Sequence, residues 1–168
     1  KYISVIIMIL LLIGLLIVTE LLFGGILLGF SGLSIPVVVY NITTANLEIM
    51  NVFSYLGLYI LTNLPQIILL ATLAFACSVI INSTAFAIVL PFCGILGAEI
   101  INQFALVYDI KILNYFVTTN WDFTQYLFGG TSIFGNSLPH AIIVCLIYWL
   151  IMLVVSFIVF IKKDVKNI

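Results

Sequence analysis

Residues 49–98 read IMNVFSYLGLYILTNLPQIILLATLAFACSVIINSTAFAIVLPFCGILGA, and not one of them is charged. Roughly 20 apolar residues suffice for a helix to cross a bilayer. The stretch therefore holds two spans, and the only polar break in its middle is Ile81–Thr84, INST. A turn that short makes the two helices antiparallel neighbours. Pro65 and Pro91 fall inside them. In lipid, neighbouring helices satisfy the carbonyls that proline frees, so kinks are expected there rather than ends.

The same pattern continues in both directions. No charge occurs from Leu21 to Leu47 or from Phe123 to Ile161, and charged residues make up 7% of the chain. Ordinary soluble domains carry about a quarter. Mean hydropathy is +1.40. An all-α polytopic membrane bundle follows, a single transmembrane domain over residues 1–168 with spans at about 2–30, 54–81, 84–106 and 138–161. Segments 31–53 and 107–137 join them on one side. Membrane β-barrels alternate polar and apolar residues, and these runs do not. The last span opens at GNSLPH, Gly135–His140, with Asn136 or Ser137 as its cap and Pro139 in its first turn.

Lysines set the expected orientation. Lys162, Lys163 and Lys166 crowd the C-terminal end and Lys1 precedes the first span. Four spans put both ends on one side, which the positive-inside rule makes the cytoplasm of a cell-membrane protein. The two joining segments then face out, with Glu48, Asp109 and Asp122 against Lys111 alone. The chain opens on Lys1 with the apolar pattern already under way, and reads as the back part of something longer.

Several classes are disfavoured. There is no arginine and no basic patch, so nucleic acid has nothing to bind. Cys77, Cys93 and Cys145 sit apart within apolar runs, and His140 stands alone as the single histidine. Neither a metal site nor a disulfide framework can be built from that spacing. No Ser/His/Asp set and no Gly-Lys-Ser/Thr phosphate loop occurs, so the chain is expected not to be an enzyme.

The residues with chemical content gather towards the outer face. Glu20 and Glu99 lie about 22 to 26 Å from the cytoplasmic ends of their helices at 1.5 Å per residue. An acid near membrane depth is a functional candidate by default. Two readings stand: a shared water-filled cavity, or carboxylates that snorkel to the surface. Asn63, Gln66, Asn102 and Gln103 join them at similar depth, where amides most often bond neighbouring helices. The segment TTNWDFTQYLFGG, Thr118–Gly130, brings Trp121, Asp122 and a Gly129-Gly130 bend. It is either an interfacial loop or a re-entrant hairpin. Gly25 and Gly29 form a small-xxx-small pair suited to close helix approach.

This layout resembles the C-terminal two-thirds of a type-2 ABC transporter permease, the six-helix subunit of bacterial exporters. FIVFIKKDVKNI is similar to that family's closing helix and charged tail, and FACSVIINSTAFAIVLPF to its helix pair with a small, polar turn. TTNWDFTQYLFGG corresponds to the outer loop before the last helix, and KYISVIIMILLL to the lysine-led helix after the coupling helix. The resemblance implies export through a pathway shared with a second permease, identical or different. A separate cytoplasmic ATPase would bind ATP and Mg, with no cofactor in this chain. The outer element, with Glu20, Glu99, Asn102, Gln103, Trp121, Asp122, Gly129 and Gly130, would belong to the pathway or its gate. Asn82, Ser83 and Thr84 would touch the ATPase. The look of the sequence is similar to that of small peptide-export and antibiotic- or lantibiotic-immunity permeases, which would make the substrate a peptide, antibiotic or lantibiotic. The alternative is an ATP-independent binding or assembly subunit of a larger membrane complex.

Overall fold

The computed structural model describes residues 2–81, 84–108, 110–132 and 134–165. Four of its helices are long and apolar enough to cross a membrane. They are α1 (Tyr2–Leu28), α2 (Val52–Ile80), α3 (Thr84–Tyr108) and, after the short α4 (Val117–Asn120), α5 (Leu138–Val165). The protein is thus an all-helical membrane bundle in its main mass. Both prolines are accommodated: α2 runs through Pro65 and α3 through Pro91.

The first helix stops two residues earlier than its apolar run suggests. Gly29 takes φ +84° with ψ 144° and its N–H bonds the Gly25 carbonyl at 3.0 Å, a positive-φ helix end that glycine adopts without strain. Phe30 then folds its ring over Gly25, where a Cβ would stand 2.0 Å from it. The Gly25/Gly29 pair therefore ends the helix and seats a ring.

Residues 31–53, expected as a plain loop, contain a β-hairpin. Strand β1 (Val37–Asn41) pairs antiparallel with β2 (Asn46–Met50), from Val37 opposite Met50 to Asn41 opposite Asn46. The local chemistry accounts for it. Val-Val-Val-Tyr suits a pleated strand, and Asn41 Oδ1 closes the turn by accepting from Thr43 N at 3.0 Å and Thr43 Oγ1 at 2.6 Å. Ala45 completes the turn at φ 53°.

The described residues fall into two compact units. One comprises Lys1–Thr62 and Phe128–Gly130; the other, Asn63–Leu127 and Thr131–Ile168. The core belongs to the second. Leu69 of α2, Ala98 of α3, Trp121 and Cys145 of α5 are buried together, with Ile95, Phe123 and Trp149 packed around them. At the far end of α2, the Lys163 ammonium donates to the Val79 and Ile80 carbonyls at 2.5 and 3.2 Å. A cation there satisfies carbonyls that the helix leaves unpaired and complements its dipole.

Candidate functional site

The polar residues of the second unit converge on the segment before α5. A 3-10 helix over Lys111–Tyr115, then α4, then a second 3-10 helix over Phe123–Gly129 fold this segment. Side chains rather than a backbone ladder hold it. Asn120 is fully buried, and its Nδ2 donates to the Asn114 carbonyl at 2.7 Å, the Phe116 carbonyl at 2.8 Å and Thr119 Oγ1 at 2.9 Å. Thr119 Oγ1 donates in turn to the Leu113 carbonyl at 2.7 Å. Short helices leave many carbonyls unmet, and these amides and hydroxyls supply the donors.

Two residues from the start of the last helix join the same point. Asn136 Nδ2 donates to the Asn114 carbonyl at 3.3 Å and to Asn120 Oδ1 at 3.4 Å. Asn136, a candidate cap for α5, spends its amide there instead, and the Ser137 carbonyl accepts the first helical N–H, from Ala141. His140 Nε2 stands 3.3 Å from the Asn114 carbonyl and donates to it in the Nε2–H tautomer, while its ring leans on Tyr115 at 5.5 Å. Three donors thus meet one carbonyl oxygen, which has two lone pairs.

Two buried atoms in this region have no hydrogen-bond partner among the described residues: Asn114 Oδ1 and the Tyr126 hydroxyl. Burial pushes the Tyr126 phenol above its usual range, and the neighbouring Ser132 hydroxyl, without the geometry of a bond, only partly opposes it. The cluster offers amides, hydroxyls and one imidazole. It can order backbone and water; it presents no activated nucleophile.

The sequence candidates separate on this structure. Asn102 is buried and ties α3 to this segment, its Nδ2 donating to the Thr118 carbonyl at 3.2 Å. Trp121 belongs to the core cluster. Asp122 Oδ1 opens the second 3-10 helix by accepting from Thr124 N at 2.8 Å and Thr124 Oγ1 at 2.5 Å. Gly129, at φ +78°, lies against the hairpin turn of the first unit, where a Cβ would come within 2.7 Å of Thr43 Cγ2. Gly130 follows it, half-buried in the same unit. Gln103 and Glu20 are exposed on α3 and α1. Glu99 is a residue of α3 whose side chain lies outside the described part. Asn82 and Ser83 also lie outside it, and Thr84 is the first residue of α3.

Sequence reasoning missed Asn114, Thr119, Asn120 and Thr43. The cluster of Asn114, Thr118, Thr119 and Asn120 was the available signal, since such residues commonly bond nearby backbone.

The profile of the family described as "Protein of unknown function (DUF2705)" matches residues 1–166. Two Bacillus subtilis proteins are similar. One, described as "Uncharacterized membrane protein YdbK", is 27% identical over 106 residues, covering 62% of this chain and 43% of the relative. The other, "Uncharacterized protein YhcI", is 26% identical over 168 residues, covering 99% of this chain and 53% of the relative. The chain spans about half the length of the curated relatives it matches. No solved structure matches.

Proposed function

The chain belongs to the DUF2705 family, and we propose that it is the membrane-spanning part of a permease subunit in an ATP-driven ABC exporter. It forms a translocation pathway with a second permease copy or homologue, driven by a separate cytoplasmic ATPase that carries ATP and Mg. One observation carries the reading. The segment before the last span is neither a slack loop nor a strand, but short helices locked by buried amides against α3 and α5. A stiff element of this kind suits a gate that must hold shape while the helices around it shift. The permease resemblance of the closing motifs points the same way.

In this reading the C-terminal lysines are cytoplasmic, the hairpin and the α4 segment extracellular. The α2–α3 turn at Asn82, Ser83 and Thr84 contacts the ATPase, and Lys163 holds the α2 end beside it. The substrate class is a peptide, antibiotic or lantibiotic.

Purification of the full-length product from its native membrane tests the assignment. An ATP-hydrolysing subunit retained in stoichiometric amount is expected; a protein that purifies alone overturns it. Glu99→Gln in the intact exporter should lower transport at unchanged membrane abundance, and unchanged transport removes Glu99 from the pathway. A cysteine placed at Thr124 should react with an impermeant thiol reagent in whole cells, whereas reaction only after lysis reverses the topology.

A second reading has its own observation. Pro65, Leu69, Phe123, Ile142, Cys145 and Trp149 line an apolar cavity of about 290 Å³ within the second unit. A pocket of that size suits a small apolar ligand. An ATP-independent binding subunit would bind such a ligand tightly as an isolated protein, with no ATPase attached.

A further inference from the structure

The hairpin turns its apolar face outward. Its register sets Val38 opposite Ile49 and Tyr40 opposite Leu47. Side chains alternate along a strand, so these four share one face. They are 57%, 73%, 55% and 70% exposed, respectively. The opposite face carries Val37, Val39, Asn41, Glu48 and Met50, all half-buried. The polar pair lies on that inner face, with Asn41 Nδ2 donating to Glu48 Oε1 at 2.7 Å. In water this arrangement is inverted, because a lone two-stranded hairpin needs its apolar face covered to be stable.

Its attachments say where that face lies. At the base, Asn51 alone separates Met50 from the first residue of α2, and caps that helix by accepting the Phe53 N–H at 3.0 Å. One residue spans no more than about 3.6 Å. At the tip, the Ile42 N–H donates to the Phe128 carbonyl at 2.8 Å and Thr43 lies on Gly129. The Phe128 ring stacks on Tyr55, and Tyr55 on Tyr59, at 6.2 and 6.4 Å. Both ends of the hairpin are therefore tied to the first turns of α2. It lies down at that level instead of projecting away.

That level is the membrane surface. The 29 residues of α2 make about 43 Å of helix, beyond the roughly 30 Å hydrocarbon core. Its opening turns, with Phe53, Tyr55 and Tyr59, stand where aromatic belts form. Outward-facing apolar surface is not confined to the hairpin: in the same unit α1 presents its whole span outward, and Phe30, Ile35 and Phe53 are exposed. Unpaired backbone along both outer strand edges bars the hairpin from the hydrocarbon itself.

We infer that the Val38, Tyr40, Leu47 and Ile49 face of the hairpin is a lipid-contacting surface, seated at the headgroup–acyl boundary of the leaflet on its side. Under the topology proposed above this is the extracellular leaflet. The seat is apolar: no charge occurs from Leu21 to Leu47, and the Glu48 side chain points to the inner face. Zwitterionic phospholipid therefore suffices, and added salt leaves the contact intact.

Spin labels on Leu47→Cys and Ile49→Cys test this in the full-length protein, with Cys77, Cys93 and Cys145 replaced by alanine, in phosphatidylcholine vesicles. Relaxation by oxygen should exceed relaxation by a water-soluble nickel chelate several-fold at both sites, with the reverse at Thr44→Cys in the turn. Nickel dominance at 47 and 49 overturns the inference in favour of a water-exposed face. Poor access to both reagents overturns it in favour of a second copy or another subunit. If the cysteine-free protein does not fold, Tyr40→Trp in the native background serves instead. Its added fluorescence should be quenched by brominated lipid and spared by iodide, and the opposite pattern again refutes the lipid seat.

Discussion

Residues 29–51 and residues 110–137 both join membrane spans, and they hold their shape by different means. The first is built on a backbone ladder, five registered pairs from Val37–Met50 to Asn41–Asn46. The second has no strand among its described residues and rests on side chains that reach main-chain oxygens, foremost Asn120, Thr119 and Asn136. A ladder uses groups that every residue but proline carries, so it depends weakly on which side chains are present. A network of buried amides depends on each member, because a lost donor leaves a dry acceptor behind.

The comparison can be broken first at Asn120. Asn120→Ala removes every bond its amide makes and leaves a hole at a fully buried site. The expected loss is about 3 kcal/mol, from unmet hydrogen bonds together with the cavity, read as a lower unfolding midpoint in detergent or lipid. A loss under about 1 kcal/mol would mean that water replaces the amide without difficulty.

Gly129 tests the point where the second segment packs on the hairpin turn of the first, within one compact unit. Gly129→Ala adds a Cβ 2.7 Å from Thr43 Cγ2 and 2.8 Å from Thr43 N, at φ +78°. The left-handed conformation alone costs about 1–2 kcal/mol for a residue with a Cβ. Trimming Thr43 to glycine should not restore stability, because the backbone nitrogen stays in place. Full rescue by Thr43→Gly would show that side-chain bulk alone sets the contact.

The smallest effect is expected at Tyr126. Burial raises its phenol above the ordinary value near 10. The folded state therefore favours the neutral form. Its contribution to stability is complete below the unfolded pKa and is lost as pH climbs through the higher folded value. Tyr126→Phe should leave stability near neutral pH little changed, since the hydroxyl has no bond to lose. It should flatten the alkaline fall, and an unaltered alkaline limb would place the titrating group elsewhere.

The four spans were legible because lipid imposes one simple demand, a long apolar helix, and charge-free runs answer it without ambiguity. Helix ends were legible where the residue type is physically special, as at Ser137 and Pro139. The hairpin was harder to see: in a chain that is 65% hydrophobic, Val-Val-Val-Tyr reads as more apolar sequence rather than as a strand. Trp121, read as part of an interfacial loop or a re-entrant hairpin, is buried against Leu69, Ala98 and Cys145. Its partners come from three separate helices, and no local pattern announces that.

The chain by itself determined its medium, its four crossings and the opening of α5 at Ser137 and Pro139. All of these rest on interactions within a few residues, or on the solvent common to the whole molecule. Only the tertiary structure decided that Asn136 and His140 meet the Asn114 carbonyl across 22 and 26 residues, or that Lys163 closes α2 across more than 80. Such contacts depend on where helices pass one another. Hydrophobic periodicity specifies that a helix is buried or bathed in lipid, but it is silent on which polar groups arrive at the same point.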